Sequence, residues 1–436
     1  MSSEKPKHLP LAAEKALKLL FFNQHPHSPK EAFWFQRRVF LETAGYRLRP
    51  KFHLGFVGSK APSIDSRHNL GDDHTAQHPL KHIMDADRIH DGQQVMLKWV
   101  SKKTHPYEVD IATLFSTPEK AKHPRNHCIP ILDILQDPHD EDKQIIVMPR
   151  LIRFDEPIFD TVGEVVDCFR QIFEGVQFMH ENHIAHRDLS LLNIMQDPSR
   201  LYPRGFHPVN YCLDPAHEGP AYCITRTRCW PRYYLIDFGL SRQYDPAQGP
   251  PLETVASGTH SYLPEYASGT GACNPFPADI YALGILLKRH FLRSDPSSSN
   301  TSVGLDRHAH GPLQFLAPLA ETMTSKNPAT RPTIGEVVLR FEQACASLTA
   351  WQLRRPGQAL DGGWRGWVDQ KARQIHNVVN GVPPLPRHSY PMSVAAQSSV
   401  KPLSVRTRVF YTRIPLEQGP VPGLAKEKRC GSSNCP

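Results

Sequence analysis

Residues 186–195, HRDLSLLNIM, decide the reading of this chain, together with LIDFGL at 235–240. The first places Asp188 and Asn193 on one short loop. The second places Asp237 after an apolar strand-like triplet and before Phe238 and Gly239. Carboxylate and amide oxygens of this kind suit a hard divalent cation such as Mg²⁺. An Asp beside them is a natural group to orient a hydroxyl and accept its proton. A structural Asp–Asn pair capping a turn is the plainer account of either segment alone. Both segments in this order, with further landmarks, favour the chemical one.

Working outward, the chain has 436 residues and a formal charge of +8. Apolar residues at 39% suffice for a real core and exclude a wholly disordered chain. Proline, 41 residues, is about twice its usual share without a Gly-X-Y period, which excludes collagen and points to irregular insertions or tails. No apolar run is long enough for a membrane span, and MSSEKPKHLPL lacks the apolar core of a secretory signal. Nine scattered cysteines, an odd number, read as reduced thiols of a cytoplasmic or nuclear protein. The positive charge is local: residues 351–436 carry a net +9 and the remaining 350 a net −1.

The apolar pattern divides the chain. Residues 1–50 read as a polar extension with one helical patch, AFWFQRRVFLETAGY. QQVMLKWV, CIPILDIL and KQIIVMPRL read as strands, and HPYEVDIATLF begins a helix. A long helix follows Thr161, which forms a capping-box pattern with Glu164; Thr333 with Glu336 opens another. Strands followed by a run of helices predict an α+β fold with sheet and helices segregated. The folded domain is expected over 51–348, with a small N-lobe to about 151, a C-lobe over 152–348 and an insertion at about 196–232. Residues 349–436 read as a basic, proline-rich, disordered tail.

These motifs resemble the eukaryotic protein kinases, and more narrowly the protein-kinase-like proteins of basidiomycete fungi, over roughly residues 80–348. The resemblance implies a bilobal fold, with a β-rich N-lobe over a larger helical C-lobe. It implies ATP and Mg²⁺ as cofactors, a nucleotide site and a protein substrate. Asp188 would be the base, with Asn193 and Asp237 as metal ligands. Lys98 of VMLK would meet the α- and β-phosphates. Glu108 would hold that lysine, with Asp110 as competitor. Met96, Met148 and Met195 would border the nucleotide, and Arg187 would contact a phosphorylated activation segment, with Thr254 and Ser257 in range. His186, Phe238, Ala112 and an aliphatic of the CIPILDIL strand such as Leu132 would stack as a spine, with Gly239 completing the Asp-Phe-Gly turn. Thr259 would contact Asp188, Glu265 would pair with Arg331, and Asp279 would anchor the catalytic-loop backbone.

Departures from the family pattern matter equally. No G-x-G-x-x-G precedes Lys98; the nearest glycines are Gly55, Gly58, Gly71 and Gly92. Met96 stands where the family has alanine, Ser190 where Ser/Thr kinases have lysine, and GTHSYLPE is one residue short. The stretch between Asn193 and Asp237 holds six prolines and Cys212, Cys223 and Cys229, which with His207 or His217 allow a zinc reading against that of a surface lid. The basic tail, with Trp364 and Trp367, allows an acidic partner such as nucleic acid or anionic lipid, against a solvated tail. The reading is thus a protein kinase transferring γ-phosphate to a hydroxyl, Ser/Thr over Tyr. The alternatives are a pseudokinase scaffold and a small-molecule kinase of the aminoglycoside type.

Overall fold

The computed structural model describes residues 29–53, 80–207, 210–215, 219–254, 263–267, 272–292, 311–357 and 363–386. A five-stranded antiparallel sheet forms the first lobe, in the order β1-β2-β3-β5-β4. Its strands are β1 (Tyr46–Arg47), β2 (Ile83–Arg88), β3 (Gln94–Ser101), β4 (Asp133–Gln136) and β5 (Lys143–Pro149). Alternation along β3 sorts the two faces. Val95, Leu97 and Trp99 join Met84, Ala86, Ile145 and Val147 in one apolar cluster. Helix α1 (Pro29–Thr43) covers this face with Trp34, Phe35 and Leu41. The opposite face carries Met96, Lys98 and Val100 toward helix α2 (Glu108–Ser116) and the cleft.

The expected start of the domain at residue 51 is therefore too late. The helical patch of the N-terminal stretch and the β1 strand belong to the lobe itself. Buried ion pairs fasten them: Arg37 Nη2 to Asp137 Oδ2 at 2.7 Å, and Lys51 Nζ to Glu31 Oε1 at 2.8 Å.

The helical lobe is built on α3 (Val162–Glu181), whose apolar residues recur at helical spacing and are buried along most of its length. Thr161 Oγ1 accepts from Glu164 N at 3.2 Å, but the Glu164 carboxylate does not close the box on Thr161. It accepts from Asp160 N at 2.7 Å and from Thr227 N at 2.7 Å instead, tying the insertion to the helix start. Behind α3 lie α4 (Pro275–Leu287), α5 (Ala317–Met323) and α6 (Ile334–Ala346). The Thr333–Glu336 capping box is complete at α6. Phe173 and Phe341 meet edge to face at 5.2 Å, joining α3 to α6.

Two further segments differ from expectation. Order continues beyond residue 348: a short helix Ala350–Leu353 and α7 (Gly363–Val379) pack on the start of α3. Val162 N donates to Arg355 O at 2.9 Å, and Arg373 grips Asp160 at 2.7 and 2.8 Å. A Cβ at Gly163 would lie 2.1 Å from Pro384 O, so the close approach requires glycine there. Residues 387–436 lie outside the described residues.

The second segment, between β6 (Ile194–Gln196) and β7 (Tyr233–Leu235), is not a detached lid. Leu201, Tyr202, Phe206, Ala221 and Cys229 form an apolar cluster with Ile152. Arg226 is buried, donating to Phe154 O at 2.9 Å and Gln196 Oε1 at 3.1 Å, with its guanidinium 4.4 Å from the Phe159 ring centre. Burying one charged residue among several acceptors and a ring face is how such a group is tolerated in an interior. The zinc reading, the lesser alternative for this segment, finds no support among the described residues. Among the described residues no group of three His, Cys, Asp or Glu side chains is placed to hold a metal, and His217 lies outside them. No helix among the described residues is long and apolar enough to cross a membrane.

Candidate active site

Strand β3 brings Lys98 into the cleft, and the first turn of α2 brings Glu108 against it. Lys98 Nζ is 2.5 Å from Glu108 Oε1 and 2.9 Å from Asp237 Oδ1. The ten-residue spacing between Lys98 and Glu108 is sufficient because a short turn, not a long loop, joins β3 to α2. Asp110, the competitor, is exposed on the outer side of α2. Burial opposes the charge on Lys98, yet the two carboxylates outweigh it and raise its pKa. Burial likewise acts to raise Asp237, but Lys98 overrides it and holds that carboxyl below its usual range. Burial raises Glu108, with Lys98 opposing. The triad carries two carboxylates against one ammonium, so it retains affinity for a further cation.

Asp237 adopts φ 65° and accepts from Gly239 N at 3.3 Å. A Cβ on Gly239 would meet His105 Nδ1 at 3.0 Å and Glu108 Oε2 at 3.2 Å, which explains glycine there. His105 Nδ1 lies 2.9 Å from Gly239 O, a contact without any sequence signal that told it from the other 23 histidines. Phe238 is buried between rings, 5.7 Å from His186 and 6.1 Å from Phe115. Phe115 was not anticipated. Leu132 is 37% exposed and precedes β4; the aliphatics packed inward there are Ile131 and Ile134. Ala112 is buried in the same core.

The loop bearing Asp188 is pinned by Asp279. Asp279, on the first turns of α4, accepts from His186 N and Arg187 N, each at 2.8 Å, and lies 3.0 Å from His180 Nε2. Burial opposes ionisation of Asp279, but these donors prevail and its pKa is lowered. Burial lowers His186, leaving a neutral ring. Its Nε2 lies 3.1 Å from Ile236 O and its Nδ1 accepts from Asp188 N at 3.3 Å, so the partners assign the proton to Nε2. Asn193 Nδ2 donates to Asp188 O and Asp188 Oδ2, both at 2.8 Å. That leaves Asn193 Oδ1 and Asp237 Oδ2 as oxygens facing the same cleft, a donor set of the type a hard divalent cation takes. Ser190 Oγ, where a lysine was missing, is buried without a hydrogen-bond partner.

The roof of the cleft is polar. Met96 pairs in register with Met148 on one side and with Asp85 on the other, and Ile83 lies opposite Lys98. By alternation Asp85 shares the cleft face with Met96 and Lys98. It is buried and paired with Arg49 Nε at 2.9 Å. Met195, on β6, pairs with Arg153 and Tyr234. Leu80, Lys81 and His82, which precede Ile83, include no glycine, and Gly55, Gly58 and Gly71 fall outside the described residues, as do Ser257 and Thr259. Away from the cleft, Arg331 grips Glu265 in a bidentate pair at 2.6 and 2.8 Å.

Residues 147–349 match the protein kinase domain family model. The chain is 28% identical over 188 residues to the serine/threonine-protein kinase PLK2 of Mus musculus, covering 41% of this chain and 22% of that protein. It is 25% identical over 257 residues to the serine/threonine-protein kinase pkn3 of Myxococcus xanthus, covering 55% and 38%. It is 24% identical over 268 residues to a light-sensor protein kinase of Ceratodon purpureus, covering 55% and 18%. The chain thus spans about a fifth to two fifths of the length of these relatives. The family match and the two lobes together show a protein kinase fold, and the relatives support the eukaryotic protein kinase superfamily.

Proposed function

We propose that this chain is an ATP-dependent protein kinase that phosphorylates a protein hydroxyl, serine or threonine before tyrosine. The observation that carries the reading is Lys98 Nζ bridging Glu108 and Asp237, at 2.5 and 2.9 Å. Such an assembled triad positions nucleotide phosphates and a metal for in-line transfer. Bound Mg²⁺ would supply charge neutralisation on the phosphates, held by Asn193 and Asp237. Asp188, oriented by the Asn193 amide, accepts the acceptor hydroxyl proton. Lys98 holds the phosphates, and Asp279 fixes the backbone on which Asp188 sits. Asp279 and the Glu265–Arg331 pair favour a protein kinase over a small-molecule kinase. Reduced cysteines fit a cytoplasmic or nuclear setting, the narrower kinship is with basidiomycete kinase-like proteins, and the basic residues beyond 386 suit an acidic partner.

The test is Mg²⁺-ATP binding and phosphate incorporation for wild type, Lys98→Met and Asp188→Asn. Wild type should bind and incorporate, and both variants should lose incorporation. A wild type that does neither sinks the reading. The second reading, a pseudokinase scaffold, is favoured by the Arg49–Asp85 pair and Met96 on the cleft roof, where a flat base would otherwise meet small apolar groups. On that reading, replacing the pair by apolar residues (Arg49→Leu with Asp85→Val) should raise nucleotide affinity.

A further inference from the structure

Arg187, just before Asp188, faces a carboxylate of its own chain. It is held in the left-handed region, φ 66°, by the donation of its backbone N–H to Asp279 Oδ1 at 2.8 Å. Its Nη1 donates to Leu240 O at 3.1 Å, and its Nη2 lies 3.6 Å from Glu253 Oε2. The Arg187 side chain is 10% exposed, so the charge is largely removed from water and its attraction to a carboxylate is correspondingly stronger.

Glu253 is held in place by strand pairing. The two-residue strand Glu253–Thr254 runs antiparallel to Ala272–Cys273, with Glu253 opposite Cys273. Nearby, the Tyr244 hydroxyl is buried without a hydrogen-bond partner among the described residues, and its pKa is raised by burial, with the Arg187 charge opposing and the Glu253 charge adding to the rise. Tyr244 meets Phe276 edge-on at 5.7 Å, Phe276 meets His180 edge-on at 4.9 Å, and His180 Nε2 is 3.0 Å from Asp279. These contacts join Tyr244 to Asp279, which accepts the backbone N–H groups of the loop bearing Asp188. Arg242, a second cation among the described residues of the segment, is engaged elsewhere: its guanidinium stands 4.5 Å from the Tyr107 ring centre, and its Nη1 donates to Ser241 O at 2.9 Å.

We propose that Glu253 is a positioning residue. Its carboxylate occupies the place at Arg187 that a phosphate on the segment would take, so the segment from 242 to 254 is ordered and the loop bearing Asp188 is set without phosphorylation. A phosphate brings close to two charges and three acceptor oxygens. Arg187 needs less, because Leu240 O already takes one of its donors. This inference rests on the kinase reading above, and its test separates the two.

The experiment uses the full chain as wild type, Glu253→Ala, Glu253→Gln and Glu253→Asp, each before and after treatment with a protein phosphatase. Steady-state kinetics are measured with ATP and a peptide acceptor, and hydrogen exchange is followed across 242–254. Phosphatase treatment should leave the wild-type kcat unchanged. Glu253→Ala and Glu253→Gln should lower kcat by about ten-fold or more with the KM for ATP unchanged, as for loss of a charged contact. Glu253→Asp should keep most of the rate. Loss of wild-type activity on dephosphorylation, or full kcat in Glu253→Ala, overturns the proposal. If the wild type incorporates no phosphate, the kinase reading fails by itself, and hydrogen exchange then decides the placement. Faster exchange across 242–254 in Glu253→Ala sustains the ordering role, and unchanged exchange overturns it.

Discussion

Replacing Asp279 by asparagine tests the physical core of the site without touching any atom that meets substrate. The carboxylate accepts two backbone N–H groups at 2.8 Å and faces His180 Nε2 at 3.0 Å, fully buried. Asparagine keeps one acceptor oxygen and turns an NH₂ toward a donor that loses its partner. A hydrogen bond to a charged group contributes about 1.5–3 kcal/mol, and an unsatisfied buried donor costs about 1–3 kcal/mol. The left-handed Arg187 backbone, disfavoured by roughly 1–2 kcal/mol for a residue with a Cβ, is released at the same time and recovers part of the loss. A net destabilisation of about 3 kcal/mol follows, or roughly 4–5 °C in Tm for a folded unit of about three hundred residues. The sign with pH is defined. Because the folded Asp279 pKa is lowered, its contribution is fully present above the unfolded value near 4 and is lost as pH falls through the folded one. Calorimetry from pH 7 down to pH 3 should therefore show wild type and variant converging at the acid end. Phosphate incorporation at pH 7 should fall at least ten-fold, since Asp188 rides on the released loop. Equal Tm values at pH 7, or a gap that persists unchanged at pH 3, would refute the reasoning.

Other perturbations follow from the same contacts. Breaking the buried Glu265–Arg331 pair by Arg331→Met should cost about 3–5 kcal/mol, and a double-mutant cycle with Glu265→Gln should return most of that as coupling energy; additive losses would count against the pair. Asp167, buried and raised to about 7 by desolvation, must lose a proton against its environment as pH rises from about 4 to 7. Asp167→Asn should therefore flatten the fall in Tm between about pH 4 and 7, an effect on the order of a few kcal/mol, and an unchanged slope would show that the group ionises freely. Ending the chain at residue 357 removes Arg373 from Asp160 and Pro384 from Gly163, so urea denaturation should shift to lower midpoint, whereas ending it at 386 should not.

Much of the site was legible in one dimension because its chemistry sits in short runs. His186, Arg187, Asp188 and Asn193 share one loop, Asp237 to Gly239 another, and each run needs little from elsewhere to be recognised. Lys98 is similar, since a strand of alternating apolar residues holds it. What could not be read was which surfaces close around these runs. Asp85 and Arg49 lie 36 positions apart and become a buried pair only when β2 aligns beside β1, so neither had a local signature. Leu132 was misjudged because inward and outward positions depend on where a strand begins, and β4 begins only at Asp133, five residues into the run CIPILDIL; Phe115, on α2, carried no signal of its own.

The same division holds for the ends and the insertion. Proline content and net charge singled out the insertion and the residues after 348, but composition does not reveal a docking surface. The start of α3 offers Asp160, Glu164 and a bare Cα at Gly163; only the folded chain brings Arg373, Thr227 and Pro384 to them. By itself, then, the sequence singled out the candidate catalytic side chains and their order, since hydrogen-bonding types at short spacing suit that chemistry. The tertiary structure alone decided the partners of those groups: Glu108 over Asp110 for Lys98, and Glu253 for Arg187. Those choices depend on which charges share a low-dielectric space, and that is a property of packing at long sequence separation.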